Sequence, residues 1–145
     1  MNKDEYVKYE GSNFTVEYPK TWNLKMDPNH PFLVFEAMSI TPYSEDSLYQ
    51  NVEMATRLKR DMSLEAFVDE RIEFFSQIEG FELQEKKTSG NETLIRYQIS
   101  DEQSTMGTLM KIVEVGDYFY GIDCSYMNKA QQDTVDYMIN SLKFK

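Results

Sequence analysis

The 145-residue sequence contains only one cysteine and one histidine. A single cysteine excludes an internal disulfide and a cysteine-based zinc cluster, and a single histidine excludes a histidine-rich metal site. Any nucleophilic mechanism of the Cys-His or Ser-His-Asp type would have to use His30. The sequence also lacks a nucleophile elbow, a Walker phosphate loop and a Gly-x-Gly-x-x-Gly turn. These absences predict a protein without enzymatic activity, bound cofactor or metal site.

Basic residues are scarce as well. The chain has 15 Lys and Arg residues against 25 Asp and Glu residues, which gives a net charge of -10. Such a charge argues against binding to nucleic acid or to an anionic membrane surface. No apolar run approaches the roughly 20 residues of a membrane span, and the polar, acidic start does not resemble a signal peptide. We therefore expect a cytoplasmic protein, with export as the alternative if a leader was removed.

The hydrophobic fraction of 41% and the aromatic fraction of 14% are typical of a globular chain. A chain of this length is usually one domain, and it is large enough to fold around its own core without a disulfide or a metal. We therefore predict a single domain over residues 1–145.

Eight short segments show the alternating or briefly apolar pattern that is typical of β-strands. They are Val7–Glu10, Phe14–Tyr18, Phe32–Ile40, Asn51–Leu58, Phe81–Lys87, Glu92–Ser100, Thr105–Val115 and Tyr118–Tyr126. Turn-forming residues at 88–91 and 116–117 divide the last four into two hairpins. Because strands joined by hairpins are antiparallel, the sequence predicts an antiparallel sheet.

Two segments have the three- and four-residue apolar spacing of amphipathic helices. The first is predicted from Ser63, a suitable N-cap, to Ile78, with Gly80 as its stop. The second is predicted from near Asn128 to about Leu142. Together the elements predict an α+β protein in which helices flank an antiparallel sheet.

Three sequence patterns resemble a known family. They are Phe14-x-Val16-x-Tyr18-Pro19-x-x-Trp22, Ser63-Leu64-Glu65-x-Phe67-Val68, and Tyr120-x-Ile122 followed by Ile139-x-Ser141-x-Lys143-Phe144. In this order they resemble the PsbP-like, Mog-type (DcrB-like) proteins, and the likeness covers nearly the whole chain. The resemblance implies an α/β/α sandwich. It also implies a relation to bacterial proteins that resemble exported lipoproteins without an assigned role.

The two residues best suited to nucleophilic chemistry are both predicted to be structural. Cys124 lies on the same strand face as Tyr120 and Ile122, so it should point into the core and behave as a small apolar residue. His30 lies between Asn29 and Pro31 in a predicted surface loop.

An acidic row is predicted on the outer side of the first helix. Its members are Glu65, Asp69, Glu70 and Glu73. They could form a docking surface for a basic partner or simply a solvated helix face. Further acidic pairs, Asp4-Glu5, Glu45-Asp46 and Asp101-Glu102, are predicted in loops or at the chain end. This distribution favours a basic partner over an acidic one, although no specific partner or oligomeric state follows from it.

The sequence thus leaves two hypotheses from different classes. The first is a non-enzymatic protein-binding or assembly module, with an extracytoplasmic, lipoprotein-type location suggested by the resemblance. The second is a carrier of a small hydrophobic or aromatic ligand, in a pocket between sheet and helix lined by Tyr97, Met110 and Tyr120.

Overall fold

The computed structural model describes residues 3–27, 29–42 and 49–145. Its strands are β1 Tyr6–Glu10, β2 Phe14–Pro19, β3 Asn23–Leu24, β4 Leu33–Pro42, β5 Tyr49–Leu58, β6 Phe81–Ser89, β7 Glu92–Ser100, β8 Thr105–Val115, β9 Tyr118–Tyr126 and β10 Lys143–Phe144. Its helices are α1 Leu64–Ser76, α2 Lys129–Ser141 and a short 3-10 helix, Lys3–Glu5. All eight predicted strands and both predicted helices are present. The predicted Glu45-Asp46 pair lies outside the described residues.

Two antiparallel sheets organise the described chain. The larger has seven strands in the order β3-β4-β5-β9-β8-β7-β6, and the smaller has three in the order β1-β2-β10. Hairpins join β6 to β7, β7 to β8 and β8 to β9, whereas β5 and β9 are neighbours despite their distance in sequence. The sequence patterns missed β3 and β10, because a two-residue strand is too short to show any periodicity.

The two helices lie on opposite faces of the larger sheet, because successive strand residues point to opposite sides. On one face, Phe67 and Val68 of α1 pack against Met110 and Phe119 in one buried cluster. On the other face, α2 and the smaller sheet pack together in a second cluster. Its fully buried members include Phe35, Val52, Leu109, Ile122, Cys124, Met138 and Ile139. This layered arrangement confirms the predicted α+β sandwich.

Local chemistry explains where α1 begins and ends. The Ser63 side chain accepts a hydrogen bond from the Ala66 backbone N–H at 3.1 Å, which satisfies one of the free donors of the first turn. The helix ends at Ser76, two residues before the predicted end, and Ile78 is left 40% exposed. Gly80 follows with a φ of +86°, the left-handed conformation that turns the chain into β6.

Candidate functional site

The single cysteine is placed where it cannot act as a nucleophile. Cys124 is 1% exposed and faces the α2 side of the sheet with Ile122, as predicted from strand alternation. Burial, and then the charge of Asp123, raise the pKa of its thiol far above the usual range. Because the thiolate is the reactive form, this thiol is inert at physiological pH.

The single histidine organises a loop. The Nδ1 atom of the exposed His30 accepts hydrogen bonds from the backbone N–H groups of Phe32, at 3.2 Å, and Leu33, at 3.0 Å. Its ring also meets the Phe32 ring edge-on, with centroids 6.2 Å apart. With Nδ1 occupied in this way, His30 orders the entry into β4, which agrees with the structural role predicted for it.

The predicted acidic row lies on the exposed side of α1, but its four members differ. Asp69 pairs with Lys86 at 3.0 Å, and Glu70 pairs with Arg57 at 2.8 Å. Within the described part of the chain, no hydrogen bond or ion pair engages the carboxylates of Glu65 and Glu73. Asp69 and Glu70 are therefore neutralised by basic residues of the protein itself, whereas Glu65 and Glu73 are available to a partner.

The predicted three-residue pocket is not formed. Tyr97 and Met110 belong to the cluster beneath α1, whereas Tyr120 packs with the cluster on the opposite face, where its hydroxyl accepts a hydrogen bond from Asn13. The register explains the error, because Met110 is paired with Asp123 on β9, and Tyr120 has the opposite parity to Asp123. The two-residue turn at 116–117 already set this register in the sequence, so counting back from it would have found the mistake.

A cavity of about 230 Å³ does lie between α1 and the sheet. Its lining residues are Ala55, Thr56, Arg57, Phe67, Arg71, Met110, Ile112, Phe119, Gly121 and Asp123. The rings of Phe67 and Phe119 are stacked, with their centroids 4.4 Å apart. Of the predicted pocket residues only Met110 lines it. The charged residues Arg57, Arg71 and Asp123 were missed, since α1, β5 and β9 meet only in the folded chain.

Three carboxylates form a row across neighbouring strands beside this cavity. Glu36 on β4 is paired in register with Glu53 on β5, which is paired with Asp123 on β9. Asn51 lies between the first two and donates to Glu36 at 3.0 Å and to Glu53 at 2.7 Å. Among the residues that the structure describes, the buried Oδ1 atom of Asn51 has no hydrogen-bond partner. Like charges directly opposite one another destabilise a sheet, so this row of carboxylates lowers the stability of the sheet.

Burial and the charge of a neighbouring carboxylate shift the titration of Glu53 and Asp123. Desolvation, then the neighbouring Glu36, raise the pKa of Glu53 above its ordinary value. Desolvation and the Glu53 charge raise the pKa of Asp123 to about 6, although Arg71 acts in the opposite direction. The Asp123 side chain is half-buried and lines the cavity, and burial is the largest cause of its raised pKa. The folded protein therefore disfavours the charged form of Asp123, and keeping it ionised lowers the free energy of unfolding.

Neither a metal centre nor a membrane-spanning helix is found in the parts of the chain described above. Across residues 3–27, 29–42 and 49–145, no three carboxylate, histidine or cysteine side chains converge as metal ligands would. Within the same ranges, neither helix is both long enough and apolar enough to cross a membrane.

Comparison with known proteins gives structural matches only, since no protein-family model and no curated relative matches the sequence. The cyanobacterial PsbP (CyanoP) of Synechocystis sp. PCC 6803 matches with a TM-score of 0.69 and 13% identity, over 100% of this chain and 95% of that one. LpqN of Mycobacterium tuberculosis, described as involved in cell envelope biogenesis, matches with a TM-score of 0.68 and 10% identity, over 97% and 90%.

A third match is weaker. The Pseudomonas aeruginosa protein PA94 has a TM-score of 0.51 and 15% identity, over 85% of this chain and 83% of that one. At such identities the likeness concerns the fold, and function has to be argued from the site itself. The two stronger matches cover nearly the whole of both chains. The chain therefore has the PsbP-like fold, as its sequence patterns predicted.

Proposed function

We propose that this protein is a non-enzymatic binding module that docks a basic segment of a protein partner on the outer side of α1. The observation that carries the proposal is an exposed aromatic ring next to Glu73, a carboxylate that forms no ion pair among the described residues. Phe74 is 59% exposed, and it lies on the same helix as the unpaired Glu65 and Glu73. Exposed aromatic residues are the anchors most often found at protein interfaces.

Electrostatics define the kind of partner. The net charge of -10 attracts a basic partner from a distance and accelerates its approach. Asp69 and Glu70 are already paired with Lys86 and Arg57, so new contacts should fall mainly on Glu65 and Glu73. These two residues are eight positions apart, or about 12 Å along the helix. The helix also turns by about 80° between them, so the partner should present two cationic side chains separated by somewhat more than about 12 Å.

The apolar part of the contact should fall on Phe74. The guanidinium of Arg71 lies 5.3 Å from the centre of the Phe74 ring, and the Phe75 ring meets it edge-on at 5.5 Å. These neighbours hold the ring in place, so little conformational entropy would be lost when a partner covers it. The proposed contact thus combines an aromatic anchor with the adjacent carboxylate of Glu73, while Glu65 adds a second charge about 14 Å nearer to the start of the helix and half a turn around it.

Site-specific photo-crosslinking in the organism of origin tests this docking surface. A benzoylphenylalanine introduced in place of Phe74 should yield a discrete adduct with one protein. The adduct should disappear when Glu65→Lys and Glu73→Lys are combined with the crosslinker, because both proposed ion pairs are then reversed. The matched control combines Glu5→Lys and Glu102→Lys, which change the net charge equally at exposed positions outside α1, and it should leave the adduct intact.

Three results would contradict the docking proposal. They are the absence of any adduct from position 74, an adduct that persists after both charge reversals on α1, and an adduct that forms from Tyr118 instead. Tyr118 is 45% exposed and lines a different cavity with Phe32 and Leu58, so it is a fair competitor.

An extracytoplasmic location is a second part of the proposal. Its support is the resemblance of the sequence to lipoprotein-type relatives, together with the fold shared with LpqN, which is described as involved in cell envelope biogenesis. Expressed from its complete gene with a carboxyl-terminal tag, the protein should be digested by protease added to intact cells or spheroplasts. Full protection, with digestion only after lysis, would place it in the cytoplasm and contradict this part of the proposal.

A further inference from the structure

The cavity beneath α1 is lined by apolar and charged residues that do not include Glu65, Glu73 or Phe74 of the proposed docking surface. Its volume is about 230 Å³, and Phe67, Met110, Ile112 and Phe119 supply apolar walls. A dry cavity of about 150 Å³ holds benzene, and pockets for drug-sized ligands begin near about 300 Å³. The space therefore suits a molecule somewhat larger than benzene.

Two opposite charges face this cavity without meeting each other. Asp123 reaches it from β9 and Arg71 from α1. Among the described residues, no ion pair joins them within 4 Å and no hydrogen bond reaches the Asp123 carboxylate. Within those same residues, the Arg71 guanidinium lies over the rings of Phe74 and Phe75, at 5.3 and 5.4 Å from the ring centres. Asp123 and Arg71 can therefore each still form hydrogen bonds or an ion pair with a ligand in this cavity.

The other charged groups nearby narrow the choice of ligand. Arg57 also lines the cavity, but Glu70 already binds it at 2.8 Å. A simple cation would be repelled by Arg71, and a simple anion would be repelled by Asp123 and by Glu53 beside it. A molecule that carries both an ammonium and a carboxylate would match both sides of the cavity.

We infer that this cavity binds a small zwitterion with an apolar side chain, a free apolar α-amino acid being the simplest case. Its ammonium group would face Asp123, its carboxylate would face Arg71, and its side chain would lie between Phe67 and Met110. Arginine suits the carboxylate because its planar guanidinium matches the two oxygens. This inference does not rest on the docking function proposed for the outer side of α1, although Arg71 also contacts the Phe74 ring of that surface.

Calorimetric titration of the full chain at pH 7.5 tests the inference. The probes are L-leucine, L-methionine and L-phenylalanine. Two analogues of phenylalanine carry one charge each: 2-phenylethylamine lacks the carboxylate, and 3-phenylpropanoate lacks the amine. At least one amino acid should bind, and its affinity should fall about tenfold or more when either charge is missing, because a charge-assisted hydrogen bond is lost. For L-phenylalanine the analogues give this comparison directly.

Variants assign the two charges to residues. Asp123→Asn and Arg71→Gln should each weaken amino-acid binding about tenfold or more. The matched controls Asp117→Asn and Arg60→Gln remove the same charges from exposed positions and should leave binding unchanged. The pair Glu65→Lys and Glu73→Lys should also leave it unchanged, which separates this inference from the docking proposal. Thermal unfolding of every variant shows that it is folded before binding is compared.

Protonation gives an independent readout. Asp123 must be ionised to hold an ammonium group, and burial together with Glu53 raises its pKa to about 6. Arg71 and Tyr97 also face it, and burial raises the pKa of Tyr97 above its ordinary value of 10.0, so Tyr97 stays neutral between pH 5 and pH 8. Amino-acid affinity should therefore increase from pH 5 to pH 7.5. The inference is overturned if no amino acid binds, if the single-charge analogues of phenylalanine bind as tightly as phenylalanine does, or if Asp123→Asn binds normally.

Discussion

Replacing Gly80 with alanine is expected to destabilise the protein by about 4 kcal/mol. Gly80 has a φ of +86°, and a Cβ atom built on it would lie 2.0 Å from the backbone carbonyl oxygen of Ser100. The left-handed conformation and the backbone clash each cost about 2 kcal/mol. The clash cannot be relieved cheaply, since the Gly80 carbonyl also accepts the Ser100 N–H at 3.1 Å and so ties the end of α1 to β7.

Urea unfolding of the two glycine variants Gly80→Ala and Gly90→Ala measures this effect. Gly90 also has a positive φ, +61°, but a Cβ atom there would meet nothing within 4 Å. Gly90→Ala should therefore cost only the left-handed strain, about 1–2 kcal/mol. Equal losses for the two variants would show that the contact with Ser100 is not as close as the structure indicates.

Replacing Asp123 with asparagine is expected to stabilise the protein by up to about 3 kcal/mol above pH 7. The Asp123 carboxyl has a pKa of about 6 in the folded protein against 3.8 as its ordinary value. Between these values the folded state binds more protons than the unfolded state, so stability falls as the pH rises from about 4 to about 6. Asparagine keeps the shape of the neutral acid and carries no charge, so this loss should vanish.

Stability measured from pH 4 to pH 8 checks both the sign and the size of this effect. The parent and Asp123→Asn should be similar near pH 4 and should diverge as the pH rises to about 7. Asp117→Asn, which alters an exposed carboxylate in the β8–β9 turn, should follow the parent at every pH. If Asp123→Asn were less stable than the parent at pH 8, then Asp123 would be a structural anchor and its proposed role as an unpaired ligand group would be wrong.

The stability and the amino-acid binding of Asp123→Asn together test whether Asp123 is a ligand-binding residue. Residues that bind ligands are often kept at a cost to stability, because the charged group is left without an internal partner. A variant that is more stable but has lost amino-acid binding would show that cost directly. It would also remove misfolding as an explanation for the loss.

Local patterns were sufficient for much of the fold. The spacing of Leu64, Phe67 and Val68 predicted α1, and the serine before them predicted its start. Alternation predicted that Cys124 faces the core with Ile122. These predictions succeed because a residue's own neighbours along the chain decide helix or strand periodicity and the buried side of each element.

Local sequence patterns could not predict which charged residues come together in the candidate sites. Glu53 and Asp123 are register partners although 70 residues separate them, and Arg57 and Glu70 belong to different elements. Which strands become neighbours depends on how the buried faces of the whole chain pack together. The acidic row on α1 was visible in the sequence, but the neutralisation of half of it by Lys86 and Arg57 was not.

By itself, the sequence determined the class of fold, the buried setting of its only cysteine, the loop position of its only histidine, and the acidic character of the chain. Those properties depend on composition and on short-range periodicity. Only the tertiary structure decided that Tyr120 lies away from Met110, and that Asp123 and Arg71 share a cavity without pairing. The physical reason is that strand register and helix docking are set by long-range packing, which brings together charges that are distant along the chain.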